Sequence, residues 1–200
     1  ISQMPTIVMS HYNIRQGREP VRPSETLDHA ANFLYMMNGH VPSSDTARLM
    51  DKDFIVHADH DVNASSFIAR VVAGTNANLY DAVTAAIAAL DGPAHGGAAE
   101  DVIKMVNEIG EVENVATYIR DLQSRRQPVT GFGHRVYKSP DPRARHLEEG
   151  VQKLSQEAGN PKWYDILKAV QEQMRPYARH GIHPNVDFFA GVAYHLMGFD

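Results

Sequence analysis

Apolar residues recur along most of the chain every three or four positions, which is the spacing of one buried face of an α-helix. No stretch of six or more residues alternates apolar and polar side chains, so the sequence predicts no strand. The fold class indicated is all-α. The pattern predicts helices over residues 27–37, 79–90, 98–109, 115–122, 147–158, 166–177 and 186–196.

Residues that typically begin or end helices flank several of these segments. Ser24 is predicted to cap the first helix and Gly39 to end it, because a serine hydroxyl accepts from free N–H groups and glycine tolerates the left-handed C-cap. Gly92-Pro93 would end the second helix and Gly110 the third. The many alanines of the second helix favour close packing against a neighbour, at a contact between subunits.

The composition restricts the class of protein. Apolar residues make up 43% of the 200 residues and charged residues 22%, which is ordinary for a globular domain. The formal net charge of -5 argues against non-specific nucleic-acid binding, which needs a basic surface. Cysteine is absent, which excludes disulfides and thiolate chemistry and fits a reducing compartment. No apolar run approaches the roughly 18 residues of a membrane span, so we expect a cytoplasmic protein without a signal peptide.

The string HADHD places two histidines three residues apart, at His57 and His60. On a helix they would share a face and could ligate a metal ion. His60-Asp61 also forms the His-Asp dipeptide of all-helical metal-dependent phosphohydrolases. Histidines hydrogen-bonded to nearby helix carbonyls are the alternative interpretation, and this segment alone does not decide between them.

Two further histidines lie among glycines, where the backbone is least restricted. His95 lies at the entry to a helix, where free N–H groups disfavour an imidazolium, so a neutral ring could donate to a carbonyl oxygen and stabilise a developing oxyanion. His134 follows Gly131 and Gly133 and precedes a run of cations that could bind carboxylates or phosphates. A capping-loop histidine and a solvated basic loop are the respective alternatives.

Asp187 stands among apolar residues at the predicted start of the last helix. It is either the acid that helix N-termini favour or a carboxylate in a dry setting, made more basic and usable as a general base.

Taken in order, four strings resemble the citrate synthase family. They are HADHDVNAS, GPAHGGA, GFGHRVYKSPDPR and PNVDFFAG, and they span residues 57–191. The resemblance implies an all-helical fold and the condensation of acetyl-CoA with oxaloacetate, followed by thioester hydrolysis to citrate and CoA. It implies no metal and no cofactor, since the CoA thioester is a substrate, and it implies a homodimeric parent enzyme.

The resemblance also implies roles for individual residues. Asp187 would remove a methyl proton from acetyl-CoA, His95 would stabilise the enolate, and His134 would polarise the oxaloacetate ketone. His60 and Arg143 would hold oxaloacetate. The CoA-binding residues implied are Val129, Gly131, Phe132, Gly133 and Lys138.

The resemblance further implies two domains, with residues 1–93 and 188–200 in a large domain and residues 94–187 in a small CoA-binding domain. Gly92-Pro93 and the 181–185 loop are the expected hinges. Both chain ends are expected to be cut, so that the 200 residues alone would have little synthase activity.

Several alternatives stay open at this stage. A 2-methylcitrate synthase is one, since its substrate propionyl-CoA is only one methylene longer than acetyl-CoA. The all-α phosphohydrolase would use His57, His60 and Asp61 as metal ligands. A citrate-synthase-like module of a CoA-ligating or citryl-CoA-cleaving enzyme and a non-catalytic helical interaction module are the others.

Overall fold

A computed structural model describes residues 2–58, 60–92 and 95–199 of the chain. Within these ranges the structure is helical and contains no strand, only an isolated antiparallel bridge between Phe132 and Pro184. The prediction of an all-α fold is confirmed. The helices are α1 (Met4–Arg15), α2 (His29–Asn38), α3 (Ser44–His57), α4 (Ala64–Ala73), α5 (Leu79–Leu90), α6 (Ala98–Ile109), α7 (Val115–Ser124), α8 (Ala144–Glu157), α9 (Lys162–Met174) and α10 (Val186–Met197), with 3-10 turns at Val112–Asn114 and Arg175–His180.

Local chemistry accounts for most of these boundaries. Helix α6 begins and ends as its apolar spacing predicts, and Gly110 is its C-cap. Helix α2 ends at Gly39 with φ +76°, as predicted, but it begins at His29 and not near Ser24. The predicted Ser24 cap is wrong because the Asp28 carboxylate accepts the free N–H of Ala31 at 2.9 Å, while Ser24 contacts Thr26 instead.

Helix α10 forms the centre of the core. Its residues Phe188, Phe189, Ala190 and Val192 are fully or almost fully buried, because the helix is apolar on nearly every side. Helices α6, α8 and α9 pack around it, and α8 also packs against α3. Residues at the start of α10 are therefore held by the best-packed part of the molecule.

Helices α4 and α5 form a hairpin that contributes almost nothing to this core. They pack mainly against each other, and Ala82 is the one buried residue of their described parts. Large apolar side chains instead face outward, with Leu79 74% and Tyr80 82% exposed. The apolar spacing of 79–90 correctly predicted the helix, but the structure leaves its apolar face uncovered.

Some expectations are not tested by the described residues. Pro93 lies outside them, so its predicted part in ending α5 and in a hinge stays a prediction; α5 itself ends at Leu90, with Asp91 as C-cap. The boundaries of the two predicted domains also remain predictions. None of the helices in the part of the chain that the structure describes is long and apolar enough to cross a membrane.

Candidate active site

The glycine-rich loop before His134 is fastened to the start of α10. Gly133 donates its N–H to the His183 carbonyl at 2.8 Å, and Asn185 donates its N–H to the Gly131 carbonyl at 2.9 Å. Gly131 has φ +79°, and a Cβ built on it would lie 2.8 Å from a Phe188 ring carbon. Glycine is therefore required here both for its conformation and for the close approach to α10.

His134 is oriented by the backbone that follows it. Its Nδ1 accepts the N–H groups of Val136 at 3.0 Å and Tyr137 at 3.1 Å, so the neutral ring carries its proton on Nε2. Burial and the charge of Arg143 lower the pKa of His134, which favours that neutral form. The Nε2–H is thus a donor available to a ligand.

Arg143 lies beside this donor and is fixed by a buried carboxylate. Its guanidinium donates to both oxygens of Asp141, at 3.0 and 2.7 Å, and Asp141 is 3% exposed. Although burial opposes ionisation, the hydrogen bonds and charge of Arg143 hold the pKa of Asp141 below its ordinary value. Arg143 Nη2 lies 3.4 Å from His134 Nε2. Because both groups are donors, an oxygen of a ligand placed between them would satisfy both.

His60 joins the same cluster through Tyr137. Its Nε2 lies 2.9 Å from the Tyr137 hydroxyl, and its ring meets the His134 ring edge to face, with centroids 5.1 Å apart. His60, His134 and Arg143, which the sequence predicts to share the oxaloacetate site, are therefore brought together.

Asp187 occupies the first turn of α10. Its N–H donates to the Asn185 side chain at 3.1 Å, so Asn185 caps the helix and the carboxylate of Asp187 is not the cap. Burial raises the pKa of Asp187, while the charges of His57, Arg143 and His134 act in the opposite direction. A carboxyl group with a raised pKa that remains close to cations suits a general base.

His95 is held by a different element. Its Nε2 lies 3.3 Å from the Ser65 N–H, which donates to it, and 3.0 Å from the Ser65 hydroxyl. Since Nε2 accepts, the neutral ring carries its proton on Nδ1, where it can donate to a ligand. The N-terminus that contacts this ring belongs to α4 and not to α6, the helix that follows His95 in the chain. Within the part of the chain that the structure describes, the His95 ring is hydrogen-bonded to Ser65 and not to Asp187 or His134.

The residues implied for CoA binding line the glycine loop and its continuation. Val129 is buried and Phe132 packs edge to face on Phe188, with centroids 4.9 Å apart. Lys138 is exposed, and its ammonium lies 3.5 Å from the His134 carbonyl oxygen. The loop therefore offers backbone groups and one exposed cation at the rim of the cluster.

The metal interpretation of His57 and His60 does not match the geometry. Helix α3 ends at His57, so the two rings do not share a helix face. His57 Nδ1 lies 3.0 Å from the Asp53 carbonyl and 3.2 Å from its carboxylate, whereas His60 faces Tyr137. Over residues 2–58, 60–92 and 95–199 no three His, Asp or Glu side chains are grouped as a metal site would require.

Sequence reasoning did not identify four residues that shape the site: Ser65, Tyr137, Asp141 and Asn185. Two of them carried a usable signal. Asn185 precedes a helix in the string PNVD, which is a typical N-cap position. Asp141 lies two residues before Arg143, but only the fold shows that it is buried against it.

Comparison with known proteins adds three findings. The family model of the citrate synthase C-terminal domain matches residues 1–200. "Citrate synthase 2" of Bacillus subtilis is 45% identical over 199 residues, which cover 100% of this chain and 53% of that protein. "Citrate/2-methylcitrate synthase" of the same organism is 36% identical, over 99% of this chain and 53% of its own length.

A solved structure shares the fold as well. It is the ternary complex of carboxymethyl coenzyme A and oxaloacetate with citrate synthase from Thermoplasma acidophilum. Its TM-score to this chain is 0.90 at 32% identity, and the match covers 99% of this chain and 53% of that one. The chain thus spans about half the length of the relatives it matches. None of these similarities supports a phosphohydrolase.

Proposed function

Because this chain belongs to the citrate synthase family, we propose that the whole protein condenses acetyl-CoA with oxaloacetate and hydrolyses the resulting thioester to citrate and CoA. The observation that carries this proposal is the convergence of two donors, His134 Nε2–H and Arg143, within electrostatic reach of Asp187. The ketone and carboxylate oxygens of oxaloacetate need hydrogen-bond donors such as these. The weakly acidic methyl group of acetyl-CoA needs a base such as Asp187.

In the proposed mechanism Asp187 accepts a proton from the acetyl methyl group. Its raised pKa makes the carboxylate a stronger base than an exposed aspartate. The electron pair moves toward the thioester oxygen, where the Nδ1–H of His95 stabilises it. One such donor contributes about 3 kcal/mol in oxyanion sites.

The enolate carbon then attacks the ketone carbon of oxaloacetate and a carbon–carbon bond forms. His134 Nε2–H polarises the ketone oxygen and delivers its proton to the new alkoxide, while Arg143 and His60 hold the remaining oxygens. Water afterwards cleaves the thioester to release CoA. The backbone of residues 129–133 and the Lys138 ammonium would contact CoA, and no cofactor is needed, because the thioester supplies the activated carbon.

The two predicted domains give this chemistry a way to exclude water. We place the hinges at Gly92-Pro93 and at the 181–185 loop, so that closure brings the CoA-binding segment over bound oxaloacetate. Closure over a reactive enolate protects it from solvent.

The experiment is a thiol-release assay of the full-length protein with oxaloacetate and either acetyl-CoA or propionyl-CoA. Faster turnover of acetyl-CoA is expected, and Asp187→Asn should lower kcat by about 10²- to 10⁴-fold. Asp165→Asn, on α9, is the matched control. Absence of thiol release with both acyl-CoA substrates, or an unchanged rate in Asp187→Asn, would contradict the proposal.

The second candidate is 2-methylcitrate synthase, which the name of one Bacillus relative favours. One methylene changes binding by only about 1–3 kcal/mol, so the same cluster serves either substrate. Preference for propionyl-CoA in the assay above would assign this function.

We also propose that the whole protein is a cytoplasmic homodimer in which α4 and α5 meet a second copy. Phe67, Leu79, Tyr80 and Ile87 are each more than half exposed on this hairpin, and large exposed apolar faces mark protein contacts. Light scattering of the full-length protein should give a dimer mass. A monomer mass would contradict this proposal. The apolar surface of α4 and α5 would then be expected to pack against another part of the same polypeptide.

A further inference from the structure

A polar group lies between α3 and α10. It consists of Asp53, His57 and Tyr194. His57 Nδ1 is 3.2 Å from Asp53 Oδ1, and the Tyr194 hydroxyl donates to Asp53 Oδ2 at 2.8 Å. The Asp53 side chain is 4% exposed, whereas that of His57 is 33% exposed. Within the described residues Oδ1 accepts no hydrogen bond, because the His57 ring donates to the Asp53 carbonyl at 3.0 Å, so Oδ1 depends on the charge of the nearby His57 ring.

The charges of this group depend on one another. A buried carboxylate is costly unless a cation compensates it, and His57 lies in position to do so. Although burial opposes the charged ring, the hydrogen bond and charge of Asp53 raise the pKa of His57. Burial also raises the pKa of Tyr194, which therefore stays a hydroxyl donor.

Tyr194 links this group to the helix that carries Asp187. Tyr194 follows Asp187 by seven residues, or two turns, so both project from the same face of α10. The charges of His57 and Asp187 act on each other, each favouring ionisation of the other. The other groups that act on Asp187 are Asp141, Arg143 and His134 from the loop before α8 and Tyr194 from its own helix.

We propose that His57 is a positioning residue for Asp187, held at the end of α3 by Asp53, which Tyr194 in turn fixes, so that the carboxylate of Asp187 keeps a second cationic neighbour besides Arg143. The role of Asp187 as a base rests on the proposed function, but the effect of the His57 charge on Asp187 does not depend on it. His57 touches no reacting atom. Its charge favours the ionised form of Asp187, which burial disfavours.

The test compares His57→Asn, Asp53→Asn and the double variant in the full-length protein. Asparagine can keep a donor near the position of Nδ1 but carries no charge. Loss of the cation should raise the pKa of Asp187, so the acid limb of kcat/KM should move up by about 0.5–1 pH unit. Asp53→Asn should produce a shift in the same direction, because His57 then loses the carboxylate charge that raises its pKa. The double variant should shift no further than either single one.

Two controls separate this inference from its alternatives. His146→Asn, exposed on α8, should leave the limb in place. A rate lowered equally at all pH values in His57→Asn would show a merely structural role and overturn the inference. The carboxyl ¹³C titration of Asp187, assigned with Asp187→Asn, measures the same shift without turnover. An unchanged carboxyl titration in both single variants would overturn the inference, whereas a shift without any thiol release in the wild type would overturn only the proposed function.

Discussion

The two halves of the candidate site are built in different ways. The loop half comprises residues 131–143 and 183–187 and is linked to the core helix α10 by backbone, carboxylate and ring contacts. The His95 turn comprises residues 95–97. Its backbone bonds run to Leu90 and Gly92 at the end of α5, and its imidazole contacts Ser65 on α4.

The loop half is therefore held in place by the buried core, whereas the His95 turn depends on an exposed element, the α4–α5 hairpin. The proposed donors for oxaloacetate and the proposed base Asp187 take their positions from the most buried part of the molecule. The proposed donor for the thioester, His95, contacts a hairpin whose outer face is apolar and exposed. Substitutions in the loop half should therefore lower the free energy of unfolding, and those at the His95 turn should mainly lower kcat.

The largest effect is expected for Asp141→Asn. It leaves the guanidinium of Arg143 without its buried partner, and breaking such a pair costs about 3 kcal/mol or more in the free energy of unfolding. The exposed Asp51→Asn is the control. Urea unfolding of the full-length proteins measures the difference, and equal midpoints would contradict the comparison.

The same pair fixes the sign of the pH dependence. Because the pKa of Asp141 is lowered in the folded state, its stabilisation is present above the ordinary carboxyl pKa and is lost as pH falls through the lowered value. The difference between wild type and Asp141→Asn should therefore shrink in acid.

Gly131→Ala should come next, with a loss of about 2–3 kcal/mol. The backbone at this position has a positive φ, which is strained for alanine. The added Cβ would also lie 2.8 Å from a Phe188 ring carbon. Gly133→Ala is a close control, since its φ is +83° but no atom lies within 4 Å of the added Cβ. It should cost only the conformational strain, about 1 kcal/mol. Equal losses in thermal unfolding would show that the contact with α10 is unimportant.

The smallest effect on folding is expected for Ser65→Ala, at the other half of the site. It removes the hydroxyl that lies 3.0 Å from His95 Nε2 and donates to Asn63 Oδ1 at 2.8 Å, but it leaves the backbone donor to His95. A neutral hydrogen bond contributes about 1 kcal/mol, so kcat should fall about five- to tenfold with little change in unfolding. Ser66→Ala, one residue on, should leave kcat unchanged. A stability loss as large as that of Gly131→Ala would remove the distinction between the two halves.

The sequence predicted the helices best where their apolar faces are buried. The apolar pattern of α6 matches its buried residues Val102, Met105, Val106 and Ile109. The equally regular pattern of α5 predicted a helix, but among its residues only Ala82 is buried, while Leu79, Ile87 and Leu90 are exposed. Periodicity shows which face is apolar; what covers that face depends on the rest of the assembly.

The candidate site was predicted from motifs and completed only by tertiary structure. The strings around His60, His134, Arg143 and Asp187 named residues that the fold then brought together. The tautomer of His134 depends on the N–H groups of two residues that follow it, and the contact between Asp53 and Tyr194 joins positions 141 residues apart. Spacing along the chain carries no information about such contacts.

One oxygen of Asp141 accepts from the guanidinium of Arg143, and the same oxygen accepts the N–H of Val186 at 3.1 Å. The proposed oxaloacetate ligand Arg143 and the residue that precedes Asp187 thus share a single acceptor atom. A movement of one of them must therefore displace the other or break this contact.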